Sequence, residues 1–354
     1  MNAATTVIIA VLVFGFLIFI HEFGHYITAR IFKVRIEEFS IGMGPRLVSF
    51  VSKKTDIRYS IALLPIGGYV SMPGENGEDS ELADDPDTFD KKPAWQRFII
   101  TAAGATVNIV AGFLAMIILT SMINVGNTTV RGFYRPEDTG YEVSSYDGGL
   151  RHGDEIIAVD GKRVYIYDEL SYEIMRRGHE PVDITVIRDG ARIVLYDVVF
   201  PKEEESGQIF GAVDFAPEIV DKDPLVVLKF SWHKSVLIVR MCLESIADLI
   251  SGRYTFAAVS GPVGISSAIG DAAEKGFKSL LYIVVLISIN LGFMNLLPIP
   301  ALDGGRLFTI IIEMITRRRL PPKVEGIING VGLILLLALS VVIMIKDVFQ
   351  LIVV

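Results

Sequence analysis

His21-Glu22-Phe23-Gly24-His25 is an HExxH sequence, two imidazoles four residues apart with a carboxylate beside the first. On a helix that spacing puts His21 and His25 on one face, where both can hold one zinc ion. Glu22 then stands where it can take a proton from an attacking water. A bare match arises by chance in soluble proteins, but here the surroundings change the odds. Val7 through Ile20 carries no polar side chain, and the apolar character resumes after His25 towards Phe32. An ionisable group inside a bilayer costs on the order of 2–3 kcal/mol, so such groups usually serve a function. The bland alternative is a polar cluster that only joins helices. A two-histidine site still needs a carboxylate and an open position for water, and Asp303 can supply the former. Asn290 and Asn295, upstream of it, can hydrogen-bond a substrate carbonyl or the developing oxyanion.

The composition suits a membrane setting. Of 354 residues, 51% are hydrophobic and 21% charged, and the length allows about two domains' worth of chain. A net charge of −8, with no basic cluster interleaved with aromatics, argues against nucleic acid as a partner. The one cysteine, Cys242, excludes an intramolecular disulfide framework and a cysteine-rich zinc site. Met1-Asn2-Ala3-Ala4 lacks the basic start of a signal peptide, so the first apolar run is expected to remain as a helix.

The elements that must position these residues follow from hydropathy. About 20 helical residues span a bilayer core. Spans are expected over about 7–29, 98–123, from 280 onward, and 327–345. His21 then lies roughly 20 Å in from the Val7 end, near the membrane face reached by Arg30. Basic residues after the first span (Arg30, Lys33, Arg35) and before the last (Arg317, Arg318, Arg319, Lys323) put both loops in the cytoplasm. In the second span, small residues (Ala102, Ala103, Gly104, Ala105, Gly112) allow close helix packing, and Asn108 reads as a helix–helix hydrogen bond more readily than as a catalytic group. Pro298, Pro300 and Gly304-Gly305 break the third span where it should still be in the membrane, which is tolerated only around a protein-lined or watery cavity.

Between the spans, Ile57–Leu63 and Tyr69–Met72 read as a hairpin turned by Pro65-Ile66-Gly67-Gly68. Its edge could pair with an extended substrate, or it is a structural meander. Residues 75–90 read as an acidic, exposed loop. Residues 126–216 form a water-soluble domain with strands over 182–187 and 193–199. Residues 223–251 place Lys229, His233, Arg240, Glu244 and Asp248 in one stripe, an amphipathic helix lying on the membrane surface with His233 solvated.

HEFGH together with Asn295-Leu-Leu-Pro-Ile-Pro-Ala-Leu-Asp-Gly-Gly305 resembles the site-2 protease family of intramembrane zinc peptidases, most closely the bacterial branch that includes the regulator of sigma-E protease. Residues 61–70 look like that branch's membrane-associated hairpin, Gly261-Pro262-Val263-Gly264-Ile265 matches its pattern before the third span, and Gly148–Gly161 is similar to half of a PDZ domain. The resemblance implies zinc ligands His21, His25 and Asp303, one zinc per chain, Glu22 as catalytic base, and substrate contacts from Asn295 and Asn290. It implies an inner-membrane endopeptidase that cuts transmembrane segments of single-pass proteins, such as anti-sigma factors or remnant signal peptides. Two departures stand out: room for one PDZ domain where the branch often has two, and Gly104-Ala105 where Gly-Pro is expected.

The expected architecture is a polytopic α-helical membrane protein with four transmembrane helices, a cytosolic-side β-hairpin and one extracytoplasmic PDZ-like α+β domain. Its parts are 1–125 (two spans, HExxH, hairpin), 126–216 (PDZ-like), 217–275 (surface helix and linker) and 276–354 (two spans with the Asp motif). A scaffold with a structural zinc site and a metal transporter are the alternatives. Glu22 speaks against the first, and the lack of a continuous polar path speaks against the second.

Overall fold

The computed structural model describes residues 2–75, 85–134, 144–205, 208–253 and 259–353. In chain order the elements begin α1 (Ala3–Ile31), β1 (Glu38–Val51), β2 (Arg58–Ser71), a 3-10 turn at Phe89–Lys91, α2 (Ala94–Met122), β3 (Gly126–Phe133), β4 (Glu155–Val159) and β5 (Lys162–Arg163). There follow α3 (Tyr167–Arg177), β6 (Val182–Arg188), β7 (Ala191–Val198), β8 (Lys202–Glu205), β9 (Gln208–Gly211) and β10 (Phe215–Ile219). The chain closes with α4 (Pro224–Ser251), α5 (Pro262–Lys275), α6 (Phe277–Leu296), α7 (Asp303–Thr316) and α8 (Pro322–Val353). Two compact units result, Met1–Ala115 with Ile238–Val354, and Met116–Leu237.

Among the described residues, four helices are long and apolar enough to cross a membrane: Ala4–Ile31, Ala94–Met122, Phe277–Leu296 and Lys323–Phe349. An apolar run becomes a helix here because its backbone groups must pair within the segment when no water is at hand. Asn2 caps α1 by accepting from the Thr5 amide at 2.9 Å. The third span ends at Leu296, after both Asn290 and Asn295, and the chain resumes as α7 at Asp303.

The hairpin expected at 57–72 is not what forms. β1 and β2 are both bent, so that each contributes two segments to one sheet. Segment 38–41 lies in the middle, parallel to 58–61 (Ser40 opposite Ser60) and antiparallel to 68–71 (Ser40 opposite Tyr69). Segment 48–51 doubles back to pair antiparallel with 58–61 (Ser49 opposite Ser60). The two halves of the expected hairpin therefore flank a third segment instead of pairing with each other. Gly42 and Gly44, at φ 89° and 86°, make the bend in β1 that a side chain would resist. Glu38, buried in the sheet, fixes that bend: it accepts from Arg46 at 2.8 and 2.6 Å and from Ser60 at 2.7 Å. The Arg46 hydrogen bonds hold its carboxyl down, at about 2. Leu47, Val48 and Phe50 on the outer pair are exposed.

The stretch 75–90 also departs from the expected exposed loop, although 76–84 lie outside the described residues. Phe89 is fully buried, and it packs in a cluster with Ile36, Ile57 and Ile100. An aromatic in an acidic run carries its own burial energy, which the charge pattern hides.

The second unit is an antiparallel sheet in the order β10-β3-β4-β6-β7, with β5 beside β4. Asp160-Gly161 and Asp189-Gly190 take positive φ at both positions, the geometry of tight two-residue hairpin turns. Leu170 and Ile174 of α3 pack with Val130, Ile156, Ile184 and Phe215 from the sheet, all of them buried. His233 on α4 was expected to be solvated. Instead its Nδ1 lies 2.9 Å from Glu169 Oε1, and neighbouring Lys234 donates to Asp168 at 2.5 Å. Both acids lie in the first turn of α3, where they also suit the helix dipole. On another face of α4, Leu225, Leu228, Trp232, Val236, Leu243 and Ile250 are exposed.

Candidate metal centre

Three elements of the first unit converge on one point. α1 carries His21, Glu22 and His25. α2 crosses α1 at close range because Gly24 leaves room: a Cβ there would stand 2.6 Å from the Ala103 carbonyl oxygen. Along α2, Ile100, Gly104 and Asn108 recur every four residues and so share one face. His25 Nδ1 lies 2.8 Å from the Ile100 carbonyl, Gly104 abuts the His25 ring, and Asn108 reaches His21 Nδ1 at 3.4 Å. The expected Gly-Pro pair is Gly104-Ala105, and the glycine is the member that touches the site.

The third element is the broken span. After Leu296 the backbone turns through Leu297–Leu302, with Ala301 at φ 72°, and restarts as a helix at Asp303. Gly304 sits so close to the Leu297 carbonyl that a side chain has no room. That turn aims Asp303 at the two histidines. Its Oδ2 lies 3.1 Å from His21 Nε2 and 3.3 Å from His25 Nε2, and the two Nε2 atoms are 3.3 Å apart.

These atoms fit zinc. A ring whose Nδ1 donates to a carbonyl, as that of His25 does, carries a lone pair on Nε2, so electron pairs face one another across the triangle. Asp303 Oδ2 is buried and meets no well-aligned hydrogen-bond donor among the described residues. A tetrahedral ion with ligand distances of about 2.0–2.1 Å separates its ligands by about 3.3 Å, which the three observed separations match. His21, His25 and Asp303 form a group able to hold a metal ion.

The centre opens on a cavity of about 470 Å³ whose walls include Glu22, residues 68–75, Thr101 and Arg306. Glu22 is placed by Gly68, where a Cβ would stand 2.9 Å from Glu22 Cγ. Arg306, one turn beyond Asp303, pairs with the Glu75 carboxylate and donates to the Glu75 carbonyl at 3.1 Å. Of the residues expected at the site, His21, Glu22, His25 and Asp303 come together. Asn290 and Asn295 lie half-buried in α6 and are not among the residues lining this cavity.

Several neighbours escaped the sequence reading. From sequence alone Asn108 fits helix packing, although its four-residue spacing from Gly104 is a usable signal. Arg306 stands three residues after Asp303, a helical neighbour once α7 is known. The Ile100 carbonyl leaves no trace in a sequence.

The model described as peptidase family M50 matches residues 9–339. A Clostridium acetobutylicum protein provisionally named a zinc metalloprotease is 32% identical over 343 residues, covering 97% of each chain. A Fusobacterium nucleatum protein with the same kind of name is 33% identical over 359 residues, covering 98% of this chain and 99% of its own. The regulator of sigma-W protease RasP of Bacillus subtilis is 26% identical over 425 residues, covering 98% of this chain and 99% of its own.

Proposed function

The chain belongs to peptidase family M50, the site-2 proteases, and is a zinc metalloprotease of the membrane; on that premise we propose that it cuts transmembrane segments of single-pass membrane proteins, using His21, His25 and Asp303 as zinc ligands and Glu22 as general base. The observation that carries this reading is the convergence of three ligand atoms, 3.1–3.3 Å apart, beside Glu22 within helices of membrane-spanning length.

Zinc, when bound, supplies a Lewis acid for the peptide carbonyl and lowers the pKa of a water. Glu22 takes the proton of the attacking water and passes it to the leaving amine. A helical substrate presents carbonyls already hydrogen-bonded and shielded, so it must unwind first. Segment 68–71 is paired on one side with 38–41 and also lines the cavity, which suits it to hold an extended strand by main-chain pairing. The Arg306–Glu75 pair ties the end of that segment to the helix that bears Asp303. Asn295 and Asn290 are further substrate contacts in this reading, reached by a substrate that extends beyond the cavity.

The second unit, an antiparallel sheet with one helix against it, supports a single PDZ-like domain over 126–216. With Arg30 to Arg35 and Arg317 to Lys323 on the cytoplasmic side, this domain lies outside the cytoplasm, and the metal centre lies near the cytoplasmic face of the inner membrane. A single PDZ-like domain and this topology would suit the sigma-factor-regulating branch, and the proposed substrate classes are accordingly trimmed anti-sigma factors and remnant signal peptides. Exposed Leu47, Val48 and Phe50 support a sheet immersed in lipid.

The test uses purified protein in detergent with a tagged model transmembrane substrate, comparing wild type with Glu22→Gln. Cleavage by wild type and a loss of about 10²–10⁴-fold in the variant, with zinc kept in both, supports the reading. A variant as active as wild type removes Glu22 as the base, and the absence of zinc from both removes the centre.

A further inference from the structure

Asn108 is buried in the middle of α2, and its side chain meets His21 Nδ1 at 3.4 Å. The amide nitrogen faces the ring, while Oδ1 is buried with no hydrogen-bond partner among the described residues. This arrangement conflicts with the ligand role of His21. If His21 Nε2 offers its lone pair to a metal, the neutral ring carries its proton on Nδ1 and must donate there. An amide nitrogen cannot accept that bond. Turning the carboxamide by 180° exchanges an oxygen and a nitrogen of nearly the same size and needs no movement of the helix. The turn presents Oδ1 to Nδ1–H and resolves the orphaned oxygen at the same time.

We propose that Asn108 is a positioning residue: its Oδ1 accepts the Nδ1–H of His21, fixing the tautomer and ring orientation in which Nε2 faces the metal. The inference rests on the zinc centre proposed above and deepens it. It gives the two histidines matching supports on one stripe of α2. Ile100 does for His25, through its main-chain carbonyl at 2.8 Å, what Asn108 does for His21 through its side chain. α6 in turn holds Asn108 in place, since Ser288 donates to the Asn108 carbonyl at 2.8 Å. Partners of this kind raise the basicity of the ligand, and losing one typically costs about 10–100-fold in metal affinity.

The test is zinc affinity by chelator competition on purified full-length protein in detergent, for wild type, Asn108→Leu and Asn108→Asp, with apo-protein thermal unfolding as the folding control. Asn108→Leu, similar in size but unable to accept, is expected to bind zinc about 10–100-fold more weakly. Asn108→Asp, an acceptor of the same shape, is expected to restore wild-type affinity or exceed it. A residue that merely filled space or joined helices would give the opposite order, because a buried carboxylate without a donor is worse than leucine. Wild-type affinity in Asn108→Leu overturns the inference, as does Asn108→Asp binding no better than Asn108→Leu. Wild type that binds no zinc removes the centre itself, a result distinct from either.

Discussion

Gly104 lies against the imidazole of His25 so closely that a methyl group built on its α-carbon would enter the ring. The contact explains why a residue that weakens helices stands in the middle of α2. Alanine in place of an exposed helical glycine ordinarily gains about 1 kcal/mol. Here the gain is set against displacement of the His25 ring, a proposed metal ligand that the Ile100 carbonyl and Gly104 hold between them. Gly104→Ala is expected to lower zinc occupancy and cleavage together. Metal analysis of the purified variant checks this, and a variant with full zinc would refute the proposed His25 placement.

Gly68 predicts the opposite pattern. Its missing Cβ faces Glu22 Cγ and the Ser40 carbonyl oxygen, both at 2.9 Å, and neither is a ligand atom. Gly68→Ala should push Glu22 aside while the triangle of His21, His25 and Asp303 stays intact. Zinc content is therefore expected at wild-type level with cleavage reduced 10-fold or more, on the order of part of a general base's contribution. Loss of zinc in this variant would show that the sheet segment supports the ligands and not the base.

Asp303→Asn keeps the shape and removes the charge. A neutral amide is a poorer zinc ligand than a carboxylate, so affinity and activity should fall in step, by 10-fold or more on the scale of lost ligand support. Raising external zinc should recover part of the activity. Undiminished zinc binding and cleavage in Asp303→Asn would exclude this side chain from the ligand set.

The clamp at the bend of β1 should show in the pH dependence of stability. Hydrogen bonds from Arg46, and then from Ser60, hold the Glu38 carboxyl at about 2, well below its ordinary 4.5. Because the folded value is depressed, the clamp stabilises fully above about pH 4.5 and loses that contribution as pH falls towards 2. Thermal midpoints of wild type and Glu38→Gln in detergent should differ at pH 6 and approach one another by pH 3. A gap that stays constant over that range would mean that the carboxylate charge contributes nothing to the bend.

The sequence by itself determined the chemistry and the setting. HExxH in a run without polar side chains singled out two candidate ligands and a candidate base, because spacing on a helix is fixed by the helix itself. Four hydropathy maxima correspond to four helices long and apolar enough to cross a membrane among the described residues, because in lipid an apolar run of that length has one way to satisfy its backbone. Asp-Gly pairs marked the two tight hairpins of the second unit, since few residues accept two positive φ values in succession. What only the tertiary structure decided depends on pairing between distant segments. Segment 38–41 enters between 58–61 and 68–71, and no local pattern in a strand interrupted by Gly42, Gly44 and Pro45 announces its partners. Asn108 read as glue between helices because its neighbour His21 lies 87 residues away. The hydrogen bond that His25 Nδ1 donates goes to a main-chain carbonyl, which every residue possesses. A ligand's type is written in the chain, but what holds it in place is set by which helix faces which, and packing makes that choice.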